Sequence, residues 1–394
     1  MRRAFKFRAY PTRPQEGRAA RLLADHCDLY NAALEERREA WRIRRVSVSY
    51  DMQSAQLKEI RRADPHGQGG HSFAAQQQTL RRLSTVFAAF YTRARRKGKA
   101  GYPRFKPYSR FSQVGFVAGN GAKWTRAEPG GWARAVFQAV GSVKVRQHRP
   151  VPGTVKVLQL KREHRRWYVI VITDTEAEPL LATGRAVGVD VGVARFLTTS
   201  DGEIVANPKL LAASAEMIAD LQRRNDRARR GSGNRQRLRR ALAKQWRKVG
   251  NRRRDFHHKT ARALVDTYDV IALEKLNTAG MTRRPAAKPD PDQPGAFLPN
   301  MAAAKAGLNK AILDAGWAQF ATILTAKAES AGRRVVFVNP ARTSITCNRC
   351  GRECTRPRQD TVICPAHGTI DADLNGARNI AARAGLGSGQ ASAA

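Results

Sequence analysis

The sequence lacks long apolar segments and contains few cysteines. Its apolar runs, such as residues 167–172, are far shorter than the roughly 20 residues of a transmembrane helix. The N-terminal residues alternate in polarity and do not form the apolar core of a signal peptide. Of the five cysteines, four lie between 347 and 364, which excludes a secreted disulfide scaffold and favours metal binding in a reducing compartment.

Acidic residues are also scarce, which leaves a large positive charge. The chain has 72 lysine and arginine residues against 32 aspartate and glutamate residues, a formal net charge of +40. Such a charge repels itself unless a polyanion neutralises it, so nucleic acid is the expected partner. An anionic membrane surface is the alternative, but the basic residues are not confined to one amphipathic helix. We expect a cytoplasmic, nucleoid-associated protein that does not bind membranes.

The hydrophobic pattern divides the chain into regions of different structure. A length of 394 residues with 42% hydrophobic residues predicts two or three domains with real cores. Alternation over residues 2–9 predicts a strand, and helical periodicity over 12–97, with Trp41 on its apolar stripe, predicts a small helical domain. Short apolar runs then predict a β-barrel or small sheet over about 103–175. If the N-terminal strand pairs with that sheet, the helical domain is an insertion in a β domain.

The remaining residues, 186–384, show the element order of an α/β ribonuclease H-like fold. In chain order the predicted elements are strands at 186–191, 195–199 and 203–205, a basic helical stretch over about 209–266, a strand at 269–274, a helix containing Leu313, Trp317, Phe320 and Leu324, a strand at 334–338, a cysteine-rich insert and a helix at 372–384.

Three acidic residues lie where such a fold brings strand ends together. Asp190 closes the first strand, Glu274 closes the fourth, and Asp373 opens the last helix. Each acid alone could be a turn residue, an ion-pair member or a helix cap. Together, three converging carboxylates need a cation, or their pKa values must rise. Two Mg²⁺ ions would meet that need and would hydrolyse a phosphodiester by activating water and stabilising the leaving oxygen.

Helical spacing selects between two acids at the start of the last helix. Asp373 shares a stripe with Gly376, Ala377 and Ile380, which are small or apolar and suited to packing on a sheet. Asp371 aligns with polar residues and can serve as the N-cap. We therefore expect Asp373 to be the metal ligand.

The cysteine-rich insert has the spacing of a structural zinc ribbon. Two short pairs, Cys347 with Cys350 and Cys364 with His367, are separated by a loop, and each pair can lie on one tight turn. Cys354 competes with His367 for the fourth position. We expect His367, because Pro365 and Gly368 place it on a turn beside Cys364. A cluster of free thiols is the alternative. Cys27 lies on an apolar helical stripe and is expected in a core.

Basic residues are concentrated in the predicted central helix. Residues 223–259 contain 16 lysine or arginine residues and two aspartates, and the basic side chains occupy every helical face. This pattern predicts a helix that lies along a nucleic-acid backbone, whereas an ordinary soluble helix mixes both signs of charge. The residues expected to contact phosphates are Arg239, Arg240, Lys244, Arg247 and Lys248, which flank Trp246.

With these motifs in place, nearly the whole chain resembles the TnpB family of transposon-encoded RNA-guided nucleases, which are related to type V CRISPR effectors. The resemblance is carried by Tyr10-Pro11-Thr12 and by GYPRFK at 101–106, GVDVG at 188–192, LEKLN at 273–277, DAGW at 314–317, TSITCNRCG at 343–351 and DLNGARNI at 373–380. The family usually has a second Cys-x2-Cys pair, where this chain has His367.

The resemblance implies that the chain is divided into domains with different roles. Residues 1–10 and 103–183 would form a wedge domain, 11–102 a helical recognition domain, 184–342 and 371–394 a RuvC nuclease domain, and 343–370 its zinc ribbon. Asp190, Glu274 and Asp373 match the family's catalytic acids. Tyr102, Arg104 and Lys106 would contact nucleic acid.

The activity implied is RNA-guided cleavage of double-stranded DNA. A guide RNA would pair with target DNA, and the protein would read a short motif beside the target. One protein chain per RNA is favoured, although the oligomeric state stays open. The alternatives are a nuclease-inactive RNA-guided DNA-binding repressor and a DNA-joining transposase. The acid triad argues against the repressor, and the acid order Asp-Glu-Asp argues against the transposase, whose acids are usually ordered Asp-Asp-Glu.

Overall fold

The N-terminal strand, which the alternation of residues 2–9 predicts, pairs with the β region. The computed structural model describes residues 1–96, 100–128, 130–293 and 295–386. By its internal contacts the chain divides into an N-terminal unit, Met1–Glu176, and a C-terminal unit, Ala177–Ala394. Residues 387–394, the end of the range expected for the nuclease domain, lie outside the described part.

In the N-terminal unit, seven strands close into a barrel in the order β1-β5-β4-β3-β2-β6-β7. Strand β1 closes the barrel because it pairs antiparallel with both β5 and β7. Its alternation places Phe5, Phe7 and Ala9 in the core. The strands are β1 (Arg2–Tyr10), β2 (Gln113–Ala118), β3 (Gly121–Thr125), β4 (Trp132–Phe137), β5 (Gly141–Arg146), β6 (Thr154–Glu163) and β7 (Arg166–Asp174).

Three helices lie in the chain between β1 and β2 and share the barrel's core. They are α1 (Arg13–Arg44), α2 (Tyr50–Ala63) and α3 (Phe73–Arg95). Helix α1 begins with a capping box in which Thr12 and Gln15 satisfy each other's backbone N–H groups. Cys27 is fully buried, as expected, but Trp41 is 52% exposed. Both residues lie on α1, as their helical spacing predicts.

The C-terminal unit is built on a five-stranded sheet with the order β10-β9-β8-β11-β14. Strands β8, β11 and β14 are parallel, whereas β9 is antiparallel to both β8 and β10. The strands are β8 (Ala186–Val191), β9 (Arg195–Thr199), β10 (Ile204–Ala206), β11 (Val270–Glu274) and β14 (Arg334–Val338). This sheet and its helices give the element order expected from the sequence.

Helices flank the sheet, and two of the predicted helical segments are broken. The helices are α4 (Ala215–Arg227), α5 (Gly233–Thr267), α6 (Thr278–Met281), α7 (Ala302–Ala315), α8 (Trp317–Ser330) and α9 (Ala372–Arg383). The basic stretch is therefore two helices, separated at Gly231 with φ +83° and restarted by the N-cap Ser232. Gly316, at φ +69°, likewise separates α7 from α8. As a result, Leu313 is 60% exposed on α7, and it does not share the buried stripe of α8.

The cysteine-rich insert forms a three-stranded antiparallel sheet between β14 and α9. Its strands are β15 (Thr355–Arg358), β16 (Thr361–Cys364) and β17 (Gly368–Asp371). The Pro-rich segment before α7 contains a short hairpin, β12 (Lys288–Pro289) with β13 (Phe297–Leu298). Within the described ranges, no helix has both the length and the apolar character needed to cross a membrane.

Candidate functional site

The register of two parallel strands places Asp190 and Glu274 side by side. Strand β8 pairs with β11 so that Val189 lies opposite Leu273, and each acid is the next residue along its strand. Alternation along the strands turns the buried Val187 and Val189 toward one face, together with Ile271 and Leu273. The two acids therefore share the opposite face at the carboxyl end of the sheet.

Helix α9 packs on that face because Gly188 allows a close approach. A Cβ atom at Gly188 would lie 2.2 Å from the carbonyl oxygen of Ala377. Ile380 packs with Ala272 and Val338 beneath the helix. At the start of α9, a Cβ atom at Gly376 would lie 2.9 Å from Asp190 Oδ2. The small residues that the sequence placed on one stripe with Asp373 thus bring the first turn of α9 against Asp190.

Electrostatics show that the three predicted acids lie near one another. Burial, followed by the charges of Glu274 and Asp373, raises the pKa of Asp190 to about 8. Burial is also the main cause that raises the pKa values of Glu274 and Asp373. The half-buried Asp190 thus lies in a field of like charge.

Asp371 is engaged differently from Asp373. Its carboxylate caps α9 by accepting hydrogen bonds from the backbone N–H groups of Asp373 and Leu374, at 3.0 Å each. Arg195 Nη1 lies 2.8 Å from Asp371 Oδ2 and 3.6 Å from Asp373 Oδ2. Burial would raise the pKa of Asp371, but the N–H of Leu374 and the Arg195 guanidinium outweigh it and lower the pKa. Asp371 therefore has partners of its own, as a cap requires.

This donor set fits hard divalent cations. Mg²⁺ prefers carboxylate oxygens, and a cation would relieve the repulsion that raises the pKa of Asp190. Asp190, Glu274 and Asp373 are the residues that would hold it.

Two residues that sequence reasoning missed contact this centre. Thr343 donates its hydroxyl hydrogen bond to Glu274 Oε1, and Arg195 bridges the two acids at the start of α9. Thr343 lies in the motif that precedes the first cysteine. No spacing rule links either residue to an acid, because both contacts depend on long-range packing.

The insert brings four potential ligand atoms together. The sulfur atoms of Cys347, Cys350 and Cys364 and a nitrogen of His367 all lie within 4.8 Å of one another. His367 Nδ1 is 3.5 Å from Cys347 Sγ and 3.6 Å from Cys364 Sγ. Ligands bound tetrahedrally to zinc at 2.0–2.3 Å lie roughly 3.3–3.8 Å apart. The spacing and chemistry of this Cys₃His cluster therefore fit one structural zinc ion, with all four positions supplied by protein.

Cys354 lies beside this cluster but is not one of its four members. Burial, followed by the charge of Cys364, raises the pKa of the Cys354 thiol to about 11. For Cys364, burial acts in the same direction, but hydrogen bonds from the backbone N–H of Ala366 and from neighbouring thiols prevail and lower its pKa to about 7. The pKa of Cys350, a member of the cluster, is also raised, so membership rests on the geometry of the four ligand atoms.

The predicted phosphate-binding residues lie on α5. Arg239, Arg240, Lys244 and Lys248 are exposed, and Arg247 is half-buried. Trp246, among them, is 43% exposed. Arg253 on the same helix is unavailable, because it forms an ion pair of 2.7 Å with the buried Asp314. The exposed side chains of Arg239, Arg240, Lys244 and Lys248 therefore give the amino-terminal half of α5 a positive surface.

The three residues at 102–106 that were predicted to contact nucleic acid differ in their exposure to solvent. Arg104 is exposed, and Tyr102 is 39% exposed although its ring packs edge-on against Phe87 and Phe90. The Lys106 ammonium lies 4.3 Å from the centre of the Tyr30 ring, and burial lowers its pKa. The structure thus leaves Arg104 most accessible and engages Lys106 within the N-terminal unit.

The outer face of the barrel carries a basic and aromatic surface that the sequence did not indicate. Cross-strand pairing places Arg8 opposite both Arg146 and Tyr168, and Trp132 opposite Arg146. Tyr10 and Trp132 form an edge-to-face pair at 5.2 Å and are 47% and 52% exposed. Basic side chains interleaved with exposed aromatic rings are suited to nucleic acid. Only the pairing of distant strands brings them together.

Three protein-family models match the chain. A model described as "Probable transposase" matches residues 168–284, and one described as "Cas12f1-like, TNB domain" matches 317–380, which include the Cys₃His cluster. A helix-turn-helix model matches residues 1–45. Within those residues the structure contains β1 followed by the single long helix α1.

Curated relatives match over almost the full length. A protein of Streptomyces pristinaespiralis, named as an RNA-guided DNA endonuclease, is 29% identical over 98% of this chain and 90% of its own. The Escherichia coli K12 protein InsQ, which carries the same description, is 29% identical over 96% of this chain and 91% of its own. Among solved structures, the cryo-EM complex of Cas12f1 with single guide RNA and target DNA matches with a TM-score of 0.59 at 15% identity. The match covers 93% of this chain and 82% of that one, and it indicates a shared fold.

Proposed function

Because this chain belongs to the TnpB family, as its motifs predicted, we propose that it is an RNA-guided DNA endonuclease. The names of the full-length relatives support this activity. The observation that carries the proposal is the carboxylate centre, in which strand register and the close packing of α9 bring Asp190, Glu274 and Asp373 together. Three acids that raise one another's pKa values are of little use to a purely binding protein, but they suit a cation-dependent nuclease.

In this proposal Asp190, Glu274 and Asp373 hold two Mg²⁺ ions. When bound, the ions supply a water nucleophile and stabilise the leaving oxygen of the phosphodiester. The protein's own contribution is to fix the three carboxylates on a rigid sheet edge and helix start. Thr343 orients Glu274, and Arg195 orients the start of α9. The Cys₃His cluster holds one zinc ion with a structural role.

The nucleic-acid partners are a guide RNA and a double-stranded DNA target. Guide pairing supplies sequence recognition, and the protein holds the backbone and reads a short flanking motif. The basic half of α5 and the aromatic outer face of the barrel are the surfaces suited to this role. We assign residues 1–10 and 103–183 to a wedge domain, 11–102 to a recognition domain, 184–342 and 371–394 to the nuclease domain, and 343–370 to its ribbon.

The test is to purify the chain from cells that also carry the DNA flanking its gene, and to sequence the RNA that copurifies. We expect one defined RNA with a variable 3′ end. The complex is then incubated with a DNA library in which a site complementary to that 3′ segment is followed or preceded by random flanks. Cleavage in Mg²⁺, restricted to certain flanks and lost in EDTA, is the expected result.

Two outcomes would contradict the proposal. If only heterogeneous RNA copurifies, with no defined species, the protein has no guide RNA. Flank-dependent binding of the complementary site without cleavage in Mg²⁺ or Mn²⁺ would instead identify an RNA-guided DNA-binding repressor.

A further inference from the structure

The segment that leads into the zinc ribbon contacts one of the three acids. Thr343 lies in the loop after β14 and is only 2% exposed. Its hydroxyl group contacts Glu274 Oε1 and lies 3.0 Å from the carbonyl oxygen of Pro340. Four residues further along the chain is Cys347, the first member of the Cys₃His cluster. The Glu274 carboxylate is therefore linked to the entry of the ribbon.

Two buried asparagines of α9 clamp the same loop. Asn375 accepts a hydrogen bond from the N–H of Asn348 at 2.9 Å and donates one to the carbonyl of Thr346 at 2.8 Å. Asn379 donates to the carbonyls of Thr343 and Thr346 at 2.9 and 2.6 Å. Asn375 is fully buried and Asn379 is 8% exposed. These amides fix the ribbon entry against the helix that carries Asp373.

The exit of the ribbon fixes the start of that helix. Strand β17 ends at Asp371, which pairs with Thr361 of β16 and is also the N-cap of α9. The N–H of Ala372 donates to the carbonyl of Asp360 at 2.9 Å. Asp373 thus begins its helix at a point that the ribbon's own sheet determines.

We propose that the folded zinc ribbon positions the acidic centre, and that Thr343 is the positioning residue for Glu274. The inference rests on the proposed nuclease function. Its physical reason is that side chains hydrogen-bonded to metal-binding carboxylates hold them in the binding orientation, and losing such a partner typically lowers metal affinity or activity 10- to 100-fold. Here both supports, the Thr343 hydroxyl and the cap of α9, come from the segment that the Cys₃His cluster closes.

The test compares Thr343→Val, which keeps the shape of the side chain but removes the hydroxyl, with Thr343→Ser, which restores it. Thr369→Val on the exposed part of β17 is the matched control. In each RNA-bound protein, Fe²⁺ replaces Mg²⁺, and ascorbate with peroxide generates hydroxyl radicals that cut the chain near the bound ion. The cut positions and the Fe²⁺ concentration for half-maximal cutting are measured by mass spectrometry.

We expect cuts near residues 190, 274 and 373 in the wild type. Thr343→Val should need about 10- to 100-fold more Fe²⁺, and more Mg²⁺ for DNA cleavage by a similar factor. Thr343→Ser and Thr369→Val should resemble the wild type. All variants should retain about one zinc per chain and bind the guide RNA equally well.

The outcomes separate this inference from the proposed function. Normal cutting by Fe²⁺ with no DNA cleavage in the wild type would overturn the proposed function while the positioning role of Thr343 is still measured. A Thr343→Val protein with wild-type Fe²⁺ and Mg²⁺ requirements would overturn the inference alone. Loss of zinc in that variant would show a general structural role and also overturn it. Absence of cuts near the three acids in the wild type would contradict the metal centre and the inference together.

Discussion

Two groups of side chains in the C-terminal unit differ in how they are assembled. The Cys₃His cluster comes from residues 347–367, and its ligand atoms lie within 4.8 Å of one another. The acidic centre draws Asp190, Glu274 and Asp373 from two strands and a helix that are far apart in the chain. In the first group, the spacing of the ligand atoms fits tetrahedral coordination of one zinc ion. In the second, burial and like charge raise the pKa of Asp190 to about 8.

The difference shows how each group depends on the rest of the fold. Two tight turns and a small sheet are sufficient to bring the cluster together. The acids need the register of β8 with β11, the close approach of α9 at Gly188 and the hydrogen bonds of Thr343. We therefore expect the cluster to tolerate changes at the acids, whereas the acids should respond to changes in the ribbon.

The largest effect is expected for Asp190→Ala. If Asp190 holds Mg²⁺ as proposed, removing its carboxylate removes several kcal/mol of transition-state stabilisation, so DNA cleavage should fall by about 10³-fold or more. Binding of the guide RNA and the target DNA should change little, because contacts with the nucleic-acid backbone supply most of the affinity. Cleavage rates and dissociation constants measure the two effects.

Asp266→Ala is the matched control, since Asp266 forms only an exposed ion pair with Arg262. Equal loss of binding and cleavage in Asp190→Ala would show that this acid supports the fold and not the chemistry. Zinc content should stay at about one per chain in both variants.

The next effect concerns the fourth ligand of the cluster. His367→Ala should lower zinc affinity by more than about 100-fold, since even outer partners of zinc ligands contribute 10- to 100-fold. Cys354→Ser should retain about one zinc per chain, although it changes a buried thiol. Elemental analysis after dialysis against a chelator distinguishes the two variants. Retention of zinc in His367→Ala and its loss in Cys354→Ser would reverse the assignment.

A surface that belongs to neither group should supply affinity for nucleic acid. Replacing Arg239, Arg240 and Lys244 by alanine should weaken RNA binding and lower the slope of log K against log salt by about 0.7–0.9 per lost phosphate contact. Arg262→Ala is the control on the same helix, because that guanidinium is paired. An unchanged slope in the triple variant would show that this half of α5 does not contact the nucleic acid.

The last prediction is a pH dependence of stability. The folded-state pKa of Asp190, about 8, lies above its ordinary value of 3.8. Its contribution to stability is therefore fully present below pH 3.8 and is lost as the pH rises toward 8. In EDTA, the unfolding temperature of the wild type should fall between pH 5 and 8 relative to that of Asp190→Asn. Mg²⁺ should reduce this difference, and a difference independent of pH would contradict the raised pKa.

Several features could be predicted because they depend on neighbours within a turn or a strand. Periodicity located the strands and helices around the three acids, and the paired spacing identified the four cluster members. Helical spacing also separated the two acids of the last helix: Asp371 caps α9, and the stripe that contains Asp373 packs against the sheet. The role of Asp373 as a ligand stays a prediction.

Other features could not be predicted, because glycine conformations and distant packing decide them. The basic stretch is interrupted at Gly231, and the helix expected to contain both Leu313 and Trp317 is interrupted at Gly316. A helical pattern alone does not reveal a left-handed residue within it. The contact of Lys106 with the Tyr30 ring depends on such packing, and its expected role at nucleic acid stays a prediction.

The sequence by itself determined the charge, the types of residue at each site and the local elements that carry them. These follow from composition and from contacts a few residues apart. Only the tertiary structure decided that Thr343 contacts Glu274, that two asparagines join the ribbon to α9, and that Arg8, Tyr168 and Trp132 share one barrel face. Such contacts depend on strand register and close packing between distant segments, which no short-range spacing encodes.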